Sequence, residues 1–188
     1  MAIETVPPTE IALISGEAFA AIADLGPCEL VAGRIVPVTP PGFDHGEIEF
    51  NIGAEIRAFV RANNLGRVSG GEAGIYTSRN PDTVRGADVI FISHERYAQR
   101  TTQTFLDVAP DLVAEVLSPN NTWSEIMQKL REYFAIGVRL IWLVDPQVRS
   151  VFAYRSLTDV REFSADDELP GDDVLPGFTV SVASLFTS

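Results

Sequence analysis

Lysine is almost missing from this chain. Of 188 residues only Lys129 is a lysine, and all thirteen other strong bases are arginines. Cysteine is as scarce: Cys28 stands alone, which excludes an internal disulfide and any zinc site built on paired cysteines. Two histidines, His45 and His94, are too few for a histidine-rich metal centre. Positive charge is short throughout, with 14 Lys and Arg against 26 Asp and Glu and a formal net charge of −12, which counts against generic phosphate binding. The sequence holds no GxSxG elbow, no HExxH and no GxxxxGK[ST], so serine hydrolase, zincin and P-loop chemistries lose their anchors. No stretch reads as a spanning helix or a signal peptide, and the expectation is a cytoplasmic protein with no membrane partner.

What is present describes a globular chain. Hydrophobic residues make up 46% and charged residues 21%, a balance that suits one domain over residues 1–188 with a substantial core. The charge is uneven: residues 1–56 carry one arginine and nine acids, whereas residues 57–100 carry seven arginines and four acids. A basic zone thus survives inside an acidic chain, read either as a nucleic-acid-facing patch or as a solvated arginine surface.

Local patterns divide the chain into elements. "CELVAGRIVPV" places Ala32-Gly33 between two apolar runs, the mark of a tight β-hairpin. Ile48, Ile52, Ile56, Phe59 and Val60 recur at helical spacing, which predicts a helix over 45–62 capped by Asp44, with Glu47 completing the cap. "GRVSGGEAGIYTS" reads as a strand pair or a bent strand, and "RNPDTVRGA" as an exposed loop. "ADVIFIS", "LVAEVLS" and "RLIWLVDP" are buried strands, the last followed by an antiparallel partner, "SVFAYRS". The acidic, turn-rich tail closes with "VASLF".

The second helix is bounded by its own sequence. Thr122-Trp123-Ser124-Glu125 has the capping-box pattern and Gly137 is a natural stop, which predicts a helix over 123–136. At roughly 100° per residue, Ile126, Leu130, Trp123, Phe134 and Met127 form one apolar side, with Tyr133 close by. Gln128, Arg131, Ala135 and Glu132 fall on the solvent arc, and Lys129 lies at the margin, free to lean back toward the sheet or to snorkel.

Two carboxylates stand out because their strands are oily on both faces. Glu115 shares a strand face with Val113 and Leu117, and Asp88 shares one with Ile90 and Ile92. An unpaired buried carboxylate costs several kcal/mol, so each must be protonated, paired or bound to a cation. A hard divalent cation held by Asp88 and Glu115, with Lys129 on a water or phosphate oxygen, satisfies this need. A structural ion pair of Glu115 with Lys129 or an arginine satisfies it equally, and the residues alone leave both open.

The segments "ELVAGRIVPV", "DHGEIEF", "RGADVIFIS", "PDLVAEVLSP", "KLREYFAIGVRLIWLVDP" and "DDVLPGF…VASLF", in this order and spacing, resemble the Uma-type family of restriction-endonuclease-like proteins within the PD-(D/E)XK nuclease superfamily. The resemblance implies an α/β (α+β) restriction-endonuclease-like core, a mixed β-sheet flanked by helices, with an N-terminal β-hairpin. It implies that Asp88 is the "PD" aspartate and Glu115 the acid of "(D/E)XK", together holding Mg²⁺, with Mn²⁺ as a substitute. Two departures stand out: Ala87 replaces the proline, and Leu117 occupies the usual lysine position. The family's displaced lysine matches Lys129, completing a catalytic set of Asp88, Glu115 and Lys129. His45 matches the family's recurrent histidine and is an auxiliary candidate. Glu72 in "GGEAG" is left out of the set, and His94 is read as a helix-start surface residue. The implied function is a metal-dependent endonuclease acting on DNA, with a homodimer compatible with the apolar hairpin. The competing reading is a catalytically inactive module of the same fold that binds nucleic acid or protein.

Overall fold

The computed structural model describes residues 12–187. Its centre is an eight-stranded mixed sheet. A short helix, α1 (Gly16–Ala20), precedes the predicted hairpin of β1 (Cys28–Val31) and β2 (Arg34–Pro37). The hairpin turns at Ala32 and Gly33, both at positive φ (48° and 74°), the backbone that a two-residue turn between twisted strands demands. Helix α2 (Phe43–Ala62) follows, then β3 (Gly66–Ser78), β4 (Thr83–Ser93), a short α3 (His94–Tyr97), β5 (Leu112–Val116), α4 (Trp123–Ile136), β6 (Leu140–Asp145), β7 (Ser150–Tyr154) and β8 (Val160–Phe163). A two-stranded ribbon, β9 (Glu168–Pro170) with β10 (Thr179–Ser181), and α5 (Val182–Leu185) close the described chain.

The sheet runs β2-β1-β4-β5-β6-β7-β8, with β3 pairing along β4. Among the named strands of the described residues only β5 and β6 pair in parallel, and α4 is the crossover between them, as a parallel pair requires. Each face of the sheet is covered by one long helix. On one face Ile48, Ile52, Ile56 and Val60 of α2 pack against Val89, Phe91, Ala114, Val116 and Trp142. On the other, Leu130 and Tyr133 of α4 pack against Ile90, Ile92, Val113, Ile141 and Leu143. β5 is therefore covered on both sides, as its unbroken apolar run predicts.

Helix α4 matches its predicted ends. Thr122 accepts from the Glu125 amide at 3.3 Å while the Glu125 carboxylate accepts from the Thr122 amide at 2.9 Å, and Gly137 stops the helix at φ 102°. Three expectations need correction. Helix α2 begins at Phe43 with Gly42 at the cap position and no side-chain cap, so neither Asp44 nor Glu47 plays the capping role; the helix starts two residues earlier than the polar pattern suggested. The "RNPDTVRGA" loop is only a turn over 79–82, because Thr83, Val84 and Arg85 are already buried members of β4. Trp123 does not join the apolar stripe of α4: at the first position of the helix it is 67% exposed. "GRVSGGEAGIYTS" is one bent strand with an irregularity between Gly70 and Ala73.

Ile56 is fully buried against the sheet. Ile56→Ala is expected to lower unfolding stability by about 2–5 kcal/mol in urea titrations, the loss typical of a large-to-small change in a packed core. Thr122→Ala, which removes only the cap, is expected to cost about 1 kcal/mol.

Candidate active site

The site forms where β4 and β5 part company. Their ladder pairs Phe91 with Leu112, Ile90 with Val113 and Val89 with Ala114. The next register position would set Asp88 opposite Glu115, but the ladder stops short of it. Instead, the Asp88 carboxylate reaches across and accepts from the Val116 amide at 2.6 Å. Asp88 is only 3% exposed, so this bond also gives a partner to a buried carboxyl group that the strand pairing leaves behind.

Glu115 projects toward α4. Its Oε1 accepts from the Tyr133 hydroxyl at 2.6 Å and its Oε2 from the Lys129 ammonium at 3.1 Å. Burial pushes the Glu115 carboxyl up to about 7, with Lys129 opposing the rise and Asp88 adding to it. For Lys129, burial lowers the ammonium's pKa, but Glu115 and Glu29 outweigh it and the net direction is upward, so the lysine stays charged. The helical-wheel expectation that Lys129 leans back to the sheet holds: its ammonium also donates to the Gly86 carbonyl at 3.2 Å and lies 3.5 Å from Glu29. The sequence thus brings Glu115 and Lys129 into direct contact, and Asp88 into the same electrostatic neighbourhood.

Several carboxylates come with them. Glu29, from β1, accepts from the Gly86 amide at 3.1 Å and pairs with Arg85 at 2.8 Å. Arg85 also donates to both oxygens of Glu132, at 2.7 and 2.8 Å. Glu132 is therefore half-buried and tied to the sheet, where the wheel put it on the solvent arc. The Arg85 pKa is raised: its burial opposes this, and the bonds to Glu132 and Glu29 prevail. Glu72 follows Gly71 in the irregular part of β3, with both residues at positive φ. Burial, with Asp88 second, raises its pKa, which places it among the acids of the site although the sequence reading left it out. Glu49, on α2, accepts from the Gly71 amide at 2.5 Å, and burial likewise raises its pKa. Glycine at position 70 makes room for this approach, because a Cβ there would lie 3.2 Å from both the Glu49 carboxylate and the Asp88 carbonyl.

His45 reaches the same place from the first turn of α2. Its Nε2 is 3.3 Å from Asp88 Oδ2, within ion-pair range, yet that buried nitrogen has no aligned hydrogen-bond partner. The Asp88 contact raises the imidazole pKa, against burial. Nδ1 is 3.3 Å from the Ser118 hydroxyl. His94, by contrast, is exposed at the start of α3 and faces Asn64, as expected of a surface residue.

The donor set fits a cation. Ligand atoms of His45, Glu49 and Asp88 lie within 4.8 Å of one another, and Glu29, Glu72 and Glu115 are electrostatically coupled to this group, with Lys129 paired to Glu115 and Glu29, and Arg85 paired to Glu29 and Glu132. Oxygen-rich, anionic clusters of this kind suit hard divalent ions. Of the seven arginines in the basic zone, Arg79, Arg85 and Arg96 are committed to internal ion pairs, so the zone faces solvent less basic than it reads. Glu29, Glu49 and Tyr133 carried no local signal of a site, since each matches an ordinary strand or helix pattern. His45 and Glu49 one helical turn apart were the nearest hint.

The mixed sheet with one long helix on each face, its parallel pair joined through α4 and the N-terminal hairpin at its edge, is a restriction-endonuclease-like fold. The same fold is seen in a crystal structure described as that of a putative nuclease belonging to DUF820 from Anabaena variabilis, which is similar to this chain at a TM-score of 0.71 and 22% identity, over 85% of this chain and 89% of that one. The chain belongs to the Uma2 family, described as "Putative restriction endonuclease", whose profile matches residues 17–183. No curated protein matches it. Among the described residues no helix is long and apolar enough to cross a membrane.

Glu115 gives the metal-free fold a defined pH dependence. Its carboxyl titrates near 7 when folded and near 4.5 when free, so the native state holds more protons between these values. Its contribution to stability is full below about 4.5 and is lost as pH rises through 7, by at most about 1.4 kcal/mol per pH unit. In chelator-treated samples Glu115→Gln, which cannot ionise, is expected to become more stable relative to wild type in urea titrations as pH rises from 5 to 8. A constant difference would show that Glu115 titrates normally.

Proposed function

We propose that this protein is a metal-dependent endonuclease hydrolysing DNA phosphodiester bonds, with Asp88 and Glu115 as metal-holding catalytic acids, Lys129 as the catalytic cation and His45 as an auxiliary group. The observation that carries the reading is the buried ion pair of Glu115 with the chain's single lysine at 3.1 Å, on the strand adjacent to that of Asp88, which is electrostatically coupled to both. Family membership supports it, and so does the DUF820 neighbour described as a nuclease.

When bound, a divalent cation, Mg²⁺ or in its place Mn²⁺, neutralises charge developing at the scissile phosphate and makes water a better nucleophile. The protein's own groups do the rest. Asp88 and Glu115 would hold the cation, and the Val116 carbonyl would offer a further oxygen. Tyr133 anchors one oxygen of Glu115 through its hydroxyl, leaving the other to be shared with Lys129. Lys129 stays protonated, so its ammonium donates to the attacking water or a phosphate oxygen and offsets the growing negative charge. DNA as the substrate, a homodimer and a cytoplasmic setting belong to the same reading.

A specific observation favours a second reading. Both Glu115 oxygens already have donors within the protein, which suits a structural role in an inactive module of the same fold. A supercoiled-plasmid assay with Mg²⁺ or Mn²⁺ separates the two. Under the nuclease reading the wild type nicks the plasmid, while Glu115→Ala and Lys129→Ala fall by about 10²-fold or more with circular dichroism unchanged. An inactive wild type whose variants lose stability instead supports the module. Equal nicking by all three proteins identifies a contaminant and ends the claim for these residues.

A further inference from the structure

Four of the seven arginines in the basic zone, Arg57, Arg61, Arg67 and Arg100, make no ion pair among the described residues. They gather at one end of the sheet. Arg57 and Arg61 stand exposed on the last two turns of α2, and the chain then passes through Asn64 and Leu65 into β3, where Arg67 is exposed. The Leu65 carbonyl accepts from the His94 amide at 3.2 Å, which sets α3 beside this turn and brings Arg100 with it.

Arg67 and Arg100 meet on one ring. The guanidinium carbon of Arg67 lies 4.1 Å from the centroid of the Tyr97 ring and that of Arg100 lies 4.6 Å from it, so the two cations stand within about 9 Å of each other. The ring holds each guanidinium in place but neutralises neither charge. The acids nearest in the chain turn elsewhere: Glu95 lines a separate hollow beside Asp111 and Arg139, and Asp107 accepts from the Thr101 amide at 3.1 Å. Two unpaired like charges this close repel, and a polyanion relieves the repulsion. Guanidinium forks braced by a ring suit phosphate oxygens in particular, since less side-chain freedom is lost when they bind.

Position links the cluster to the site. Arg67 pairs with Ile92 of β4, and Ile92 packs on the α4 face of the sheet, where Glu115 meets Lys129. Ile92 is four residues from Asp88, about 13 Å along the strand at about 3.3 Å per residue. On β3 the intervening Ser69, Gly70 and Gly71 are small and exposed, leaving a low path.

We propose that Arg67 and Arg100, braced by Tyr97, dock the phosphate backbone of the nucleic acid a few nucleotides away from the bond held at Asp88 and Glu115. Contacts of this kind fix position and carry no sequence preference. The identity of the polyanion rests on the proposed function; the geometry of the cluster does not.

Binding is measured in EDTA, where cleavage is blocked, by fluorescence anisotropy with two labelled DNA duplexes of unrelated sequence, from about 50 to about 200 mM KCl. Arg67→Gln/Arg100→Gln is expected to bind both duplexes about tenfold more weakly at the lowest salt and to reduce the salt slope by about 2, with circular dichroism unchanged. Arg67→Lys/Arg100→Lys, which keeps the charge, is expected to keep most of the slope. Arg161→Gln is the control: Arg161 also stacks on an aromatic ring, that of Phe163 at 4.5 Å, but on β8 at the far edge of the sheet. The proposal is overturned if the wild type binds neither duplex, if the glutamine pair binds as the wild type does, or if Arg161→Gln weakens binding equally. Tighter binding of polyglutamate than of DNA would assign the patch to an acidic polypeptide and overturn it as well. The plasmid assay keeps the readings apart: nicking with binding indifferent to Arg67 and Arg100 sinks only the docking surface, and docking without nicking sinks only the cleavage.

Discussion

A carboxylate on a strand covered by helices on both faces is the constraint around which this molecule is organised. Glu115 cannot stand alone there, since an uncompensated buried charge costs several kcal/mol. Tyr133 and Lys129 answer it from α4, and that answer ties the crossover helix to the centre of the sheet. The tie extends outward: Lys129 contacts Glu29 of the hairpin, Glu29 pairs with Arg85 of β4, and Arg85 returns to α4 through Glu132. One polar network thus joins hairpin, sheet and helix, and pairwise values understate what such a network holds together.

The same crowding of acids gives the site its chemistry. Burial, and after it the neighbouring Asp88 charge, raises the pKa of Glu49, Glu72 and Glu115, so this corner of the protein is short of positive charge despite Lys129 and Arg85. A divalent cation relieves that shortage, which is why a site that destabilises its own ionised form is also suited to bind metal. The acids come from four strands and a helix, so the fold as a whole, rather than any loop, sets their spacing.

How much of this could be read from the chain depends on range. Helix α4 was legible nearly to the residue because its cap and stop are local: Thr122, Glu125 and Gly137 act within a turn of themselves. The hairpin was legible for the same reason. Glu115 stood out because its own neighbours are apolar, and Lys129 because the chain has no other lysine. Glu29 and Glu49 were invisible, since each sits in a pattern that reads as an ordinary solvent-facing position; only the pairing of β1 with β4 and the packing of α2 turn them inward. Trp123 failed in the opposite sense: spacing puts it on the apolar stripe of α4, yet at the helix start it stays exposed. Asp44 was a sound cap by type, but the helix had already begun at Phe43, with the extended backbone of Gly42 as its cap position.

That the lysine paired with Glu115 stands on α4, while position 117 just past β5 holds a leucine, has a further consequence. A strand residue inherits the pleat, so its side is fixed by parity and a one-residue slip reverses it. A helix residue turns through roughly 100° per step and can be shifted by small slides of the whole cylinder. Leu117 instead joins the partly buried hydrophobic residues packed beneath α4. The strand is thereby released to serve as packing surface, and the placement of charge passes to an element whose position can drift gradually without unzipping the sheet.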